Sequence, residues 1–164
     1  MIWAVLILSL VLRLISLNQS LWLDEAINVL ASQNYSLLGM LTEYAKADFH
    51  PPLHFLILWI WTKFIGVNEI AVRIPSVIFG VLTIYFTYLI GKKLRSESLG
   101  LLSAFLLAIN PLHIYYSQEA RMYSLAALAV SINVFLLLKF VKGEKLNLVF
   151  LVVSNFFILG SDYV

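Results

Sequence analysis

The length of its apolar runs most restricts the folds open to this chain. Residues 70–91, 98–116 and 122–138 are nearly unbroken apolar stretches. A helix needs about 20 such residues, within a range of roughly 17 to 25, to cross the hydrocarbon of a bilayer. Residues 1–17 stand at the short edge of that range, and 146–160 fall short of it unless 161–164 extend them. In lipid every backbone N–H and C=O must be satisfied internally, so such runs read as helices. Leu53–Ile65 has only 13 residues, about 20 Å of helix at 1.5 Å per residue. It is expected to be interfacial or re-entrant. The expected fold is an all-α integral membrane protein with about five transmembrane helices, one membrane domain over 1–164.

Composition bears this out and closes other routes. Only 12% of residues are charged, against about a quarter in soluble domains. Net charge is +2, and the basic residues sit at the ends of apolar runs, so no nucleic-acid partner is expected. With no cysteine there is neither a disulfide framework nor a thiolate metal site. Residues 1–12 lack a basic leader, Arg13 interrupts them and no cleavage site follows, so a retained first span is expected in place of a cleaved signal.

Orientation follows from two basic clusters. Lys92, Lys93 and Arg95 form one, and Lys139, Lys142 and Lys145 the other. The positive-inside rule puts both in the cytoplasm. Two spans separate them, so the assignments agree. Residues 18–69 then form the first outer loop. Asp24, Glu25, Glu43, Asp48, Glu69, Glu119 and Asp162 fall outside, and only Glu97 and Glu144 inside. An outer-face site explains that asymmetry. Within the outer loop, Leu23, Ala26, Ile27, Leu30 and Ala31 recur at helical spacing. So do Leu37, Met40, Leu41, Tyr44 and Ala45. Both predict amphipathic helices lying on the membrane surface.

Four clusters carry ionisable groups where lipid meets water. Asp24 and Glu25 open the first surface helix, near the positive end of its dipole. They either solubilise that end or act as a base or metal ligand. Asp48, Phe49 and His50 precede a Pro-Pro pair that fixes the start of the short apolar helix. His54 lies one step further in, packed or lining a cavity. Arg73 lies one turn inside a span, where an ionisable group is costly and is either paired, snorkelling or functional. A fork for a phosphate is one such role. Glu119, Arg121 and Tyr123 share an outer turn with Tyr115 and Tyr116. Arg13, deep in the first span, is expected to pair with an acid or to snorkel, and Asp162 to line the outer face. No phosphate-binding glycine loop, dinucleotide fingerprint, zinc helix motif or nucleophile elbow is present.

W-L-D-E-A, H-P-P-L, E-I-A-V-R-I-P-S and Y-S-Q-E-A-R-M-Y follow one another in this order. The set resembles the N-terminal part of GT-C superfamily membrane glycosyltransferases. It is most similar to the branch of the protein O-mannosyltransferases and lipid A aminoarabinose transferases. The resemblance covers nearly the whole chain, and relatives are longer, with further spans. It implies a polyprenyl-phosphate sugar donor used on the outer face of a membrane, a prokaryotic plasma membrane being the expected setting. The acceptor is a protein, lipid or glycan.

The resemblance also implies roles. Asp24, with Glu25 beside it, takes the position of the catalytic acid of the first outer loop, as base or metal ligand. Arg73 and Arg121, with Tyr123, take positions that meet the donor phosphate. Glu119, His50 and Asp48 are the residues for a divalent cation. Direct displacement at the sugar C1 would invert the anomeric centre, with Asp24 accepting the acceptor's proton. The arginines or a cation would offset charge on the leaving phosphate. The competing class is a non-catalytic membrane protein that binds a lipid phosphate or a partner subunit. A transporter is disfavoured because the acids gather at one face and not at the midplane.

Overall fold

The computed structural model describes residues 1–48, 50–145 and 148–161. Asp162 and Phe49, and the expectations placed on them, lie outside the described residues. Every regular element among the described residues is helical. These are α1 Ile2–Leu14, α2 Leu23–Asn34, α3 Leu37–Gly39, α4 Ala45–Ala47, α5 Leu53–Ile65, α6 Glu69–Leu94, α7 Glu97–Ala108, α8 Pro111–Ser117, α9 Tyr123–Val141 and α10 Leu148–Ser161. A π-helical turn, Met40–Tyr44, joins α3 to α4.

Side chains punctuate the helices. Asn68 starts α6 by accepting from the N–H of Ala71 at 2.8 Å. Ser96 starts α7 through Leu99 at 3.2 Å, and Asn110 starts α8 through His113 at 3.0 Å. Gly66, at φ 106°, ends α5 in a conformation open to glycine. Pro75 lies inside α6 and leaves the carbonyl of Ala71 without its helical donor. The indole N–H of Trp61 donates to that carbonyl at 2.8 Å.

Helices α6 and α9 are long and apolar enough to cross a membrane. The run 98–116, expected as one span, is broken. Helices α7 and α8 meet at 66°, because Pro111 has no N–H and clashes with the preceding turn. Length and composition thus support two spans, or three with the bent pair counted as one. Helices α1 and α5 and the stretch 149–161 are shorter apolar helices.

Helix α6 is the hub, touching α1, α5, α7, α8 and α9. Near its C-terminal end it meets α7 backbone to backbone. A Cβ added to Gly91 would stand 2.8 Å from Cα of Gly100, and one on Gly100 would stand 2.5 Å from the carbonyl oxygen of Tyr88. At this end the basic clusters meet, as Lys93 pairs with Glu144 and Lys142 bonds the carbonyl of Lys93. Arg73 and Tyr123 open α6 and α9, so the outer-loop residues gather at the opposite end.

The surface helices are not simple rafts. In α2 the side chains of Glu25, Asn28, Val29, Ala31 and Ser32 are buried against the protein. Leu23, Ile27 and Leu30 of the predicted stripe are exposed, and Ala31 is buried. Val29 joins Leu58, Val72 and Ala120 in one apolar cluster, and Ala31 joins Met40 and Phe55 in another. The second predicted surface helix is realised as α3, the π turn and α4.

Candidate functional site

The site grows from the first turn of α2. Trp22 is its N-cap, and Glu25 reaches back to accept from the N–H of Trp22 at 3.3 Å. Successive helix residues are rotated by roughly 100°, so Asp24 and Glu25 cannot face the same way. Glu25 turns inward and is fully buried. Its carboxylate accepts from Arg73 Nε at 2.9 Å and Nη2 at 2.5 Å. It also accepts from the N–H of Ala120 at 2.7 Å. One side chain thereby ties α2 to α6 and to the turn before α9.

Arg73 has five N–H groups, and all five are taken. Beyond Glu25 they reach the carbonyls of Leu17 at 2.8 Å, Gln19 at 2.7 Å and Ser20 at 3.4 Å. The guanidinium gathers the connection between α1 and α2 around itself. In this arrangement it has no donor left for a phosphate.

Asp24 turns outward, and its side chain is 38% exposed. It accepts from Arg121 Nη1 at 2.5 Å. Arg121 lies against the rings of Trp22 and Tyr123, at 5.9 and 5.5 Å. Its Nη2 makes a long 3.4 Å bond to the Tyr123 hydroxyl, and its buried Nε has no partner among the described residues. Of the two arginines, Arg121 is the one with donors to spare.

The remaining expected residues fall into two places. Asp48 accepts from the backbone N–H of His50 at 2.9 Å and pairs with the His50 ring at 2.7 Å. Glu119 is buried, with its Oε2 unpartnered among the described residues. Burial, the largest cause, raises its pKa, and the negative charge of Glu25 adds to the rise. Tyr115's hydrogen bond and the charges of Arg121 and Arg73 oppose it. No three His, Asp or Glu side chains gather as a metal group among the described residues. Glu119, His50 and Asp48 therefore do not form one donor set here.

Two features escaped the sequence. Tyr44 donates to Asn28 Oδ1 at 2.7 Å. Burial, then the charge of Asp48, pushes its phenol up to about 12, so it keeps that proton. Among the described residues Arg13 pairs with no acid, and it does not snorkel. It is fully buried and donates to Ser9, to the carbonyl of Ala108 at 3.1 Å, and to Ser117 at 3.2 Å, while Nη2 lies 2.7 Å from His113 Nδ1. The break at Pro111 frees carbonyls at the end of α7, and Arg13 caps one. Only Pro111 in the sequence hinted at that demand.

The family model for dolichyl-phosphate-mannose-protein mannosyltransferases matches residues 49–160, more than half of the chain. The match includes His50, Arg73, Glu119, Arg121 and Tyr123. It stops short of Asp24, Glu25 and Asp48. No curated protein and no solved structure matches the chain.

Proposed function

Since the chain belongs to the dolichyl-phosphate-mannose-protein mannosyltransferase family, we propose that it moves a sugar from a polyprenyl-phosphate donor to an acceptor hydroxyl at the extracytoplasmic face of the membrane, with Asp24 as the base. The Asp24–Arg121 pair is the observation that carries this. It joins a half-exposed carboxylate from outside the matched region to a cation inside it, at the end of the bundle away from the basic clusters. The positive-inside rule supports assigning that end to the outer face.

The residues divide the chemistry. Asp24 accepts the proton of the attacking hydroxyl as the bond to the sugar C1 forms. Arg121 sits beside it with unused donors, one of them desolvated, and offsets the charge that grows on the leaving polyprenyl phosphate. Tyr123 lies against the guanidinium and accepts a long bond from its Nη2. Glu25 and Arg73 hold α2, α6 and the turn 118–121 in register and take no part in proton transfer. No step is routed through a divalent cation, because its proposed ligands are not gathered. Displacement from the face opposite the phosphate inverts the anomeric centre. The acceptor is a protein, lipid or glycan hydroxyl within reach of the membrane surface.

The test is transfer from radiolabelled polyprenyl-phosphate mannose, and separately glucose and aminoarabinose, to a cell-envelope extract. Membranes carrying the wild type are compared with Asp24→Asn. Label incorporation that disappears in Asp24→Asn, at equal protein level, is the expected result. Undiminished transfer by that variant removes Asp24 as the base. Silence from both, while a longer relative works alongside, favours a non-catalytic protein that binds a lipid phosphate or a partner subunit.

A further inference from the structure

The end of the bundle opposite the Asp24–Arg121 pair carries more cations than its acids balance. Lys92, Lys93, Arg95, Lys139, Lys142 and Lys145 stand there with only Glu97 and Glu144. Glu97 pairs with Lys92 at 3.7 Å, and Glu144 pairs with Lys93. The other four cations form no ion pair among the described residues. The hydrogen bond from Lys93 lowers the pKa of Glu144 most. Desolvation opposes it, and the charges of Lys93, Lys139 and Lys142 lower it further. Three ammonium groups thus converge on one carboxylate, and Lys142 also bonds the carbonyl of Lys93. The cluster has charge to spare for a second anion.

Next to this cluster, a cleft of about 400 Å³ runs between α6, α9 and α10. Phe79 and Phe86 of α6, Phe150 and Phe157 of α10, and the stretch of α9 from Leu125 to Leu136 form its walls. Lys93 links the two features, because its Nζ lies 5.9 Å from the centre of the Phe135 ring, which lines the cleft. The α9 wall rises about 16 Å at 1.5 Å per residue. One leaflet's share of the bilayer hydrocarbon is about 15 Å. Ser154 is the polar residue of the lining, and its hydroxyl is engaged. It donates to the carbonyl of Leu151 at 2.9 Å and accepts from Asn133 at 3.2 Å. The cleft therefore offers a ligand only hydrocarbon, and the lysines at its mouth offer only positive charge.

We infer that the cleft and its lysines hold one anionic phospholipid of the adjoining leaflet, with an acyl chain along α9 and the headgroup phosphate on Lys139 and Lys142. The two features complement the two halves of that molecule. A hydrocarbon chain alone needs no cation, and a soluble anion needs no cleft. A polyprenyl-phosphate donor used beside Arg121 places its phosphate at the opposite end of the bundle, so this is a second lipid. Glu144 occupies part of the same lysine clamp and competes with the headgroup. The site stands whether or not the chain transfers sugar. Basic pockets between membrane helices hold anionic headgroups on the same electrostatic grounds.

Photo-crosslinking on the full chain in phosphatidylcholine nanodiscs tests it. The probe is phosphatidylglycerol with a diazirine in its acyl chain, compared with phosphatidylcholine carrying the same chain. Phosphatidylglycerol should label the peptides of α9 and α10 that line the cleft, and phosphatidylcholine should stay at background. Half-maximal labelling should need about tenfold more probe in Lys139→Gln/Lys142→Gln, an effect of about 1.4 kcal/mol. It should need less probe in Glu144→Gln, where the competitor is gone. Ala129→Leu, which narrows the cleft, should cut labelling, and Lys46→Gln in α4 should leave it unchanged. Raising salt from about 0.1 to 1 M shortens the screening length from about 10 to 3 Å. Labelling of the wild type should weaken with it, a check that needs no variant. Equal labelling by the two lipids, or labelling indifferent to salt and to the lysine pair, overturns the site. So does displacement of the probe by a polyprenyl phosphate at lower concentration than by unlabelled phosphatidylglycerol, which would give the cleft to the donor.

Discussion

Asp24 and Glu25 differ by one methylene and by a rotation of roughly 100° about α2, yet they do different work. Glu25 is buried with every oxygen engaged, so removing it or Arg73 strands the other's charge. Glu25→Ala and Arg73→Ala should each lose about 3–5 kcal/mol, read as early melting of the purified protein in detergent. Asp24→Asn, changed at a half-exposed position, should melt near wild type. Equal melting of all three would remove the strut. Glu119 gives a pH dependence of opposite sign to that of an ordinary ion-paired carboxylate. Its folded pKa is raised from 4.5, chiefly by burial. The folded state therefore holds a proton that the unfolded state has released. Stability from this group is full below pH 4.5 and is lost as pH rises through the folded value. Melting curves over that range should slope down with pH in wild type and less so in Glu119→Gln.

Among the elements, α6 and the α7–α8 pair show how proline is managed inside a membrane bundle. Pro75 opens a hole in the ladder of α6, and Trp61 fills it from α5. Trp61→Phe should cost about 1–3 kcal/mol by orphaning the Ala71 carbonyl. In the Pro75→Ala background the helix regains its own N–H, and the cost of Trp61→Phe should shrink. A double-mutant melting cycle reads the difference, and additive costs would mean that Trp61 serves packing alone. Pro111 is met differently, with Asn110 as cap and Arg13 closing the carbonyl of Ala108. The apolar run concealed that break, because run length counts residues and is blind to a missing N–H. Helix α2 was legible as amphipathic from its period. Its polar face turning inward was not, since periodicity does not say which face meets protein and which meets lipid.

At the scale of the molecule, the basic clusters meet at one end and the ionisable outer-loop residues at the other. The chain has no cysteine, so single cysteines report topology cleanly. Gln33→Cys should label from outside intact cells, and Lys142→Cys only after permeabilisation. The reverse pattern would put the site in the cytoplasm and remove the outer-face chemistry. The fold also divides the expected site residues into separate groups. Asp24, Arg121 and Tyr123 come together, Glu25 and Arg73 lie behind them, and Asp48 pairs with His50 elsewhere on the outer segment.

The sequence by itself determined the helical membrane class, the opposition of basic and acidic ends, and the identity of the residues worth watching. These depend on run length, on charge placement and on motifs in order, all of which are one-dimensional. Only the tertiary structure decided which of two adjacent carboxylates is half-exposed and which arginine keeps unused donors. Those outcomes depend on partners 48 and 97 residues away in the chain. A carboxylate's chemistry is set by what surrounds it, and here α6 and the turn before α9 supply the surroundings.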